Sequence, residues 1–147
     1  MSTTFTATVD HVVHTTSRVT VRTHNVLVDR PRAKGGNDLG PVGGEYLLVS
    51  LGGCFTSHLL AAMRAREVTL NGIRVAVSGT LDGSPERFTA LAVAVTAEDP
   101  DTALLEKLVT IAARGCQVMN TLRLAAPITI TSQGSPIELA QTAAPAV

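Results

Sequence analysis

The stretch GGEYLLVSLGGCFTSHLLAAMRAR, Gly43 to Arg66, is a long apolar run with the period of a helix. Apolar residues fall at 47, 48, 51, 55, 59, 60, 62 and 63, the spacing of successive helical turns. Glu45 stands where a carboxylate favours a helix N-terminus, and Arg64 and Arg66 stand where cations favour the C-terminus. The apolar positions nearly encircle the axis, which predicts a helix buried on most sides. Gly52 and Gly53 interrupt the run, each costing about 1 kcal/mol relative to alanine. Another helix or a ligand is therefore expected to approach closely there. Cys54 follows directly, with Ser50 and His58 one turn to either side on the same face.

Before this helix the chain alternates with a period of two. FTATVDHVV sets Phe5, Ala7 and Val9 against polar neighbours, RVTVRT continues the pattern, and HNVLVDRP gives a third strand that ends at Pro31. RPRAKGGNDLGPVGGE, with five glycines and two prolines, is a loop of the length that often carries function. After the helix, GIRVAVSGTL and RFTALAVAVTAE predict a hairpin around DGSPE. In it Ile73, Val75 and Val77 share one face, as do Leu91, Val93 and Val95. Asp99 and Pro100 form an N-cap and first-turn pair for a second helix through Leu104, Leu105, Leu108, Ile111 and Ala112. That helix, or a short one after it, carries RGCQVMNTLRL. PITITS is a last strand.

The order βββ-α-ββ-α-β predicts an α+β fold in which antiparallel sheet packs around two buried central helices. We expect a single domain over residues 1–133 and a peripheral tail over 134–147. One chain of 147 residues has difficulty covering a helix that is apolar nearly all round, so a homodimer is expected.

Composition narrows the function classes. Twelve basic and twelve acidic residues cancel, and aromatic residues make up 3% with no Trp. Neither attraction to phosphates nor base stacking is favoured, so no nucleic-acid partner is expected. MSTTFTATVDHVV lacks the basic start and apolar core of a signal peptide, and Ser50, Gly52, Gly53, Thr56, Ser57 and His58 break the longest apolar run. These features lead us to expect a soluble cytoplasmic protein with no membrane partner. In that compartment two cysteines are more often reduced, redox-active or metal-bound than locked in a structural disulfide. KGGNDLGPVGGE matches neither a P-loop nor the dinucleotide glycine fingerprint, so no cofactor is expected.

Cys54 has three readings: a small core residue, a metal ligand, or a nucleophile. The flanking glycines, Ser50 and His58 nearby, and a second cysteine, Cys116 behind Gly115, point away from simple packing. Two such cysteines suit a redox dithiol, in which a thiolate takes a peroxide oxygen and the second thiol condenses with the sulfenic acid. Cys54, His58 and Cys116 are enough in number for zinc, but no C-x-x-C pair accompanies them. A histidine hydrogen-bonded to a backbone carbonyl is the plainer reading of His58. Arg18, Arg22 and Arg30 in the strand region are the cations available to a thiolate, and Glu45 could orient one of them.

GPVGGEYLLVSLGGCF, with VDRPRAKGGNDLGP before it and CQVMNTL after it, resembles the OsmC/Ohr family of thiol-dependent hydroperoxide reductases over roughly residues 5–132. The resemblance implies an intertwined homodimer with sites at the subunit interface. It implies a peroxidatic Cys54, a resolving Cys116, organic hydroperoxide substrates, and dithiols such as lipoylated proteins as reductant. It further implies an arginine, with Arg18 the nearest match, partnered by Glu45. Glu45 lies nine residues before Cys54, whereas the Ohr pattern places its glutamate ten before, at Gly44. Gln117 follows Cys116 where many relatives have proline, so the chain is closer to the broad OsmC-like branch. A second class of function fits the same apolar helix: a non-enzymatic module that binds a hydrophobic small molecule, with the cysteines as packing.

Overall fold

The computed structural model describes residues 1–98 and 100–139. The chain divides into two compact units, 1–47 and 48–147.

In the first unit three short strands run as an antiparallel meander: β1 (Thr8–Val13), β2 (Thr16–Val21) and β3 (His24–Val28). Two-residue connections join them, and His14 and Arg22 turn the chain there with left-handed backbone, φ 54° and 55°. The Gly-rich loop that follows is anchored by one buried carboxylate. Asp29 accepts hydrogen bonds from Thr15 Oγ1 (2.6 Å), Thr16 Oγ1 (3.1 Å) and the backbone N–H groups of Arg30 (2.7 Å) and Leu39 (3.1 Å). These bonds, led by the one from Thr15, outweigh burial and hold the Asp29 carboxyl down at about 2, below its ordinary 3.8. Tyr46 donates its hydroxyl to Leu27 O at 2.6 Å and ties the start of the next helix to β3.

That helix, α1 (Gly43–Ala65), begins one or two residues ahead of the start near Gly44 or Glu45 that the sequence suggests. By length and composition its 23 residues are apolar enough to cross a membrane, with a mean hydropathy of 1.5 over its best window. The polar residues expected to interrupt the apolar run do not keep the helix from passing that test. Leu51, Phe55, Leu59, Ala62 and Met63 instead form a buried stripe in the core.

The second unit pairs β4 (Asn71–Asp82) with β5 (Arg87–Glu98) as a long antiparallel hairpin, Val75 opposite Val95 and Val77 opposite Val93. Leu91, Val93 and Val95 on one face of β5 are buried, as their alternation requires. Asp101 caps α2 (Thr102–Gly115) by accepting from Leu104 N–H at 3.1 Å. The expected cap Asp99 lies outside the described residues. A short α3 (Gln117–Leu122) follows, then β6 (Ile128–Ser132) and β7 (Ser135–Pro136). Leu105, Leu108, Val109, Ala112 and Met119 complete a core with the α1 stripe and β5.

Three features differ from expectation. The strands form two sheets, β1-β2-β3 and β4-β5-β6-β7. Their pairings are antiparallel except that β5 and β6 are parallel, because the helical crossover through α2 and α3 returns the chain in the same direction. The segment after residue 133 is not wholly peripheral: Ser135–Pro136 pairs with β6, and Ile137 and Leu139 pack on the core. Residues 140–147 lie outside the description. Finally, α1 is buried on one stripe only, for Val49 and Leu60 are 58% and 51% exposed.

Candidate active site

The α1 glycines divide two tasks. A Cβ on Gly52 would lie 3.0 Å from Val77 Cγ2, so Gly52 permits close helix–sheet approach. A Cβ on Gly53 would meet nothing within 4 Å. Gly53 instead borders an open groove of about 350 Å³, lined by Leu48, Val49, Gly52, Val75 and Val77. Apart from its two glycines the lining is aliphatic, suited to an acyl or alkyl chain.

Cys54 follows on α1, half-buried, and Cys116 is buried; both are free thiols. Cys116 does not sit inside a helix as expected. It lies between α2 and α3 with extended backbone (φ −73°, ψ 105°), its N–H closing α2 on Ala112 O and its sulfur capping α3. Met119 N–H donates to that sulfur at 3.4 Å. The break leaves the Cys116 thiol buried, with Cys54 as a neighbouring titratable group. Burial first, and then the neighbouring Cys54, push the Cys116 thiol up to about 11, although backbone N–H groups of Met119 and Val118 pull the other way. At neutral pH Cys116 is therefore a thiol, not a thiolate. Of the two sulfurs, Cys54 has the access a nucleophile needs.

Cys54 and His58, four residues apart on α1, converge on one acceptor. Cys54 Sγ donates to Gln117 Oε1 at 3.5 Å, and His58 Nε2 lies 2.9 Å from the same oxygen. His58 therefore bonds to a side-chain amide and not to a backbone carbonyl as expected. Gly115 makes room for the ring: a Cβ there would lie 3.0 Å from His58 Nδ1. Cys54, His58 and Cys116 do not assemble as a metal site, and no cluster of three His, Cys, Asp or Glu residues suited to a metal occurs among the described residues.

The other two residues named from sequence belong to the first unit. Glu45 is the third residue of α1, and its carboxylate accepts from Val42 N–H at 2.8 Å, one half of a capping box. Helix capping is thus its visible work. Arg18 is exposed on β2, opposite Asp10 and Leu27. Neither Arg18 nor Glu45 makes a side-chain hydrogen bond to the other among the described residues. Arg22 is at the turn after β2 and Arg30 is exposed beside Asp29. Sequence reading missed two residues that organise the structure, Asp29 and Gln117. A Thr-Thr pair at the start of β2 hints at an acceptor such as Asp29, but no local pattern marks Gln117.

Comparison with known proteins bears on the fold. A protein from Psychrobacter arcticus matches with a TM-score of 0.77 at 16% identity, covering 90% of this chain and 98% of its own. The organic hydroperoxide resistance protein OsmC of Legionella pneumophila matches with a TM-score of 0.69 at 16% identity, covering 89% and 98%. An organic hydroperoxide resistance protein from Elizabethkingia anophelis, with thiocyanate bound, matches with a TM-score of 0.69 at 14% identity, covering 90% and 98%. No curated protein matches the sequence. The α+β architecture is that of the OsmC-like fold. The OsmC-like protein family model matches residues 35–131, which include most of the Gly-rich loop, α1 and both cysteines, and the chain belongs to that family.

Proposed function

We propose that the protein is a thiol-dependent peroxidase that reduces organic hydroperoxides to alcohols. The observation that carries this reading is that half-buried Cys54 bonds to Gln117, the residue next to buried Cys116, and is close enough to Cys116 to help hold that thiol protonated. Cys54 thiolate attacks the distal peroxide oxygen. The O–O bond breaks, the sulfur is oxidised to a sulfenic acid, and the alkoxide leaves as alcohol after taking a proton. Cys116 thiol then displaces the sulfenic hydroxyl as water and forms the Cys54–Cys116 disulfide. A dithiol restores both thiols by exchange and is itself oxidised to a disulfide. Burial suits Cys116 to the second step, for its sulfur stays protonated until the sulfenic acid forms beside it.

The aliphatic groove next to Gly53 supports substrates with an apolar tail, and the names of the Legionella and Elizabethkingia proteins support the hydroperoxide class. Arg18 is the cation we assign to the developing negative charge. Exposed Val49 and Leu60 on α1 support a homodimer in which a second copy covers them. With a dithiol as reductant, we assign the protein to a reducing, cytoplasmic setting. The same groove also favours a second reading, a carrier of a hydrophobic small molecule, in which neither cysteine reacts.

The test is mass spectrometry of reduced protein after one equivalent of cumene hydroperoxide. The peroxidase reading expects loss of two hydrogens in the wild-type chain and a dimedone adduct on Cys54 in Cys116→Ser. An unmodified Cys54, with a hydrophobic compound co-purifying, would instead support the carrier.

A further inference from the structure

Gln117 is the first residue of α3 and is solvent-exposed, yet its carbonyl is the common partner of Cys54 and His58. A glutamine amide has an oxygen with two lone pairs on one side and a nitrogen with two hydrogens on the other. As seen here, Oε1 accepts from the Cys54 thiol and faces His58 Nε2. A half-turn about the terminal side-chain bond presents the NH₂ group to the same two atoms. One hydrogen then points at Cys54 sulfur and the other at His58 Nε2, with the imidazole proton on Nδ1. The first orientation satisfies a thiol, which must donate; the second satisfies a thiolate, which can only accept.

We propose that Gln117 is a catalytic residue of the Cys54 site, an amide that turns with the charge on sulfur and donates to the thiolate. His58 is the positioning residue that holds the amide in line in both orientations, its ring seated against Gly115. The inference rests on the reading of Cys54 as the nucleophile. It concerns how the thiolate is stabilised and not what the thiolate attacks. The thiol proton leaves to water, and His58 exchanges its Nε2 proton for one on Nδ1 through solvent, so the imidazole stays neutral. A proline at position 117 could perform neither role, so this chain supplies by side chain what such a sequence must obtain elsewhere.

The experiment reads the alkylation rate of Cys54 by iodoacetamide, and thiolate absorbance near 240 nm, at one neutral pH in the Cys116→Ser background. Because thiolate is the reacting form, the rate follows its population and stabilisation. Loss of one hydrogen bond to a charged sulfur corresponds to about a tenfold change. Gln117→Met, which neither donates nor accepts, should slow alkylation about tenfold. Gln117→Glu, which keeps the shape but cannot donate when ionised, should be slower still. Gln117→Lys, a permanent donor, should match or exceed the parent. A structural role would not produce that order in an exposed residue. His58→Phe should slow the parent about threefold and add nothing in the Gln117→Met chain, because His58 acts through Gln117.

Equal rates within twofold across the Met, Glu and Lys variants would overturn the role of Gln117. An undiminished His58→Phe effect in the Gln117→Met chain would overturn that of His58. Hydroperoxide turnover is not the readout, so the two readings fail separately. A preserved order without turnover rejects only the peroxidase, and a flat order with turnover rejects only the amide.

Discussion

The perturbation that most directly probes the burial of Cys116 is alkaline pH. Its thiol is raised from 9.0 to about 11, chiefly because the residue has no accessible surface. A raised value in the folded protein means that the folded state binds the proton more tightly than the unfolded chain. Stability from this group is therefore complete below pH 9 and is lost as pH rises to about 11. At 1.36 kcal/mol per pH unit the span corresponds to at most about 2.7 kcal/mol. Part of the rise comes from Cys54, and at pH 11 the folded thiol is only half ionised, so we expect about 2 kcal/mol. Urea unfolding followed by circular dichroism, under reducing conditions at several pH values from 8 to 11, measures the loss. Cys116→Ala removes this group and leaves every other ionisable residue in the chain. The difference in stability between wild type and variant should shrink by about 2 kcal/mol across that range. Parallel stability curves for the two proteins would refute the argument that burial holds this proton.

The two glycines in the middle of α1 should respond oppositely to alanine. Gly53→Ala places its methyl group in open space and gains about 1 kcal/mol of helix propensity, whereas Gly52→Ala presses on Val77 Cγ2 and overpacking of about 1–3 kcal/mol cancels or exceeds that gain. Equal unfolding free energies for the two variants would contradict the assigned geometry. Asp29, held at about 2, stabilises its unit fully above pH 3.8 and loses that contribution as pH falls toward 2, so Asp29→Asn should flatten acid unfolding in that window. Unchanged acid sensitivity in Asp29→Asn, with unaltered amide exchange at Leu39, would remove its role as the loop anchor.

Much of the fold is legible because side-chain period reports directly on local structure. The strand alternation at 73, 75 and 77 and at 91, 93 and 95, and the helical run from 43 to 65, all appear where their patterns place them. Parallel pairing of β5 with β6 is not local; it follows from the path of a crossover, which hydrophobic period does not encode. The α1 helix reads as apolar all round, but one chain buries only the face containing Leu51, Phe55 and Leu59.

At the site, Cys54 and His58 share a face by simple helical spacing, and Gly52 and Gly115 mark close packing, whereas Gly53, directly before Cys54, faces open space. The non-helical turn at Cys116 was hidden because QVMNTL continues a helical pattern, and a sulfur serving as N-cap leaves no propensity signature. Gln117 reaches Cys54 across a sequence separation of 63 residues, a contact set entirely by tertiary packing. Asp29 is similarly defined by its donors, two hydroxyls and two backbone N–H groups drawn from separate segments.

The central claim is that Cys54 is a peroxide-reducing nucleophile. Its most direct test is the rate at which purified protein consumes cumene hydroperoxide with a dithiol present, wild type against Cys54→Ser. We predict turnover in the wild type, with one dithiol oxidised for each hydroperoxide reduced to alcohol, and no rate above the uncatalysed background in Cys54→Ser. Turnover by Cys54→Ser equal to that of the wild type would contradict the account.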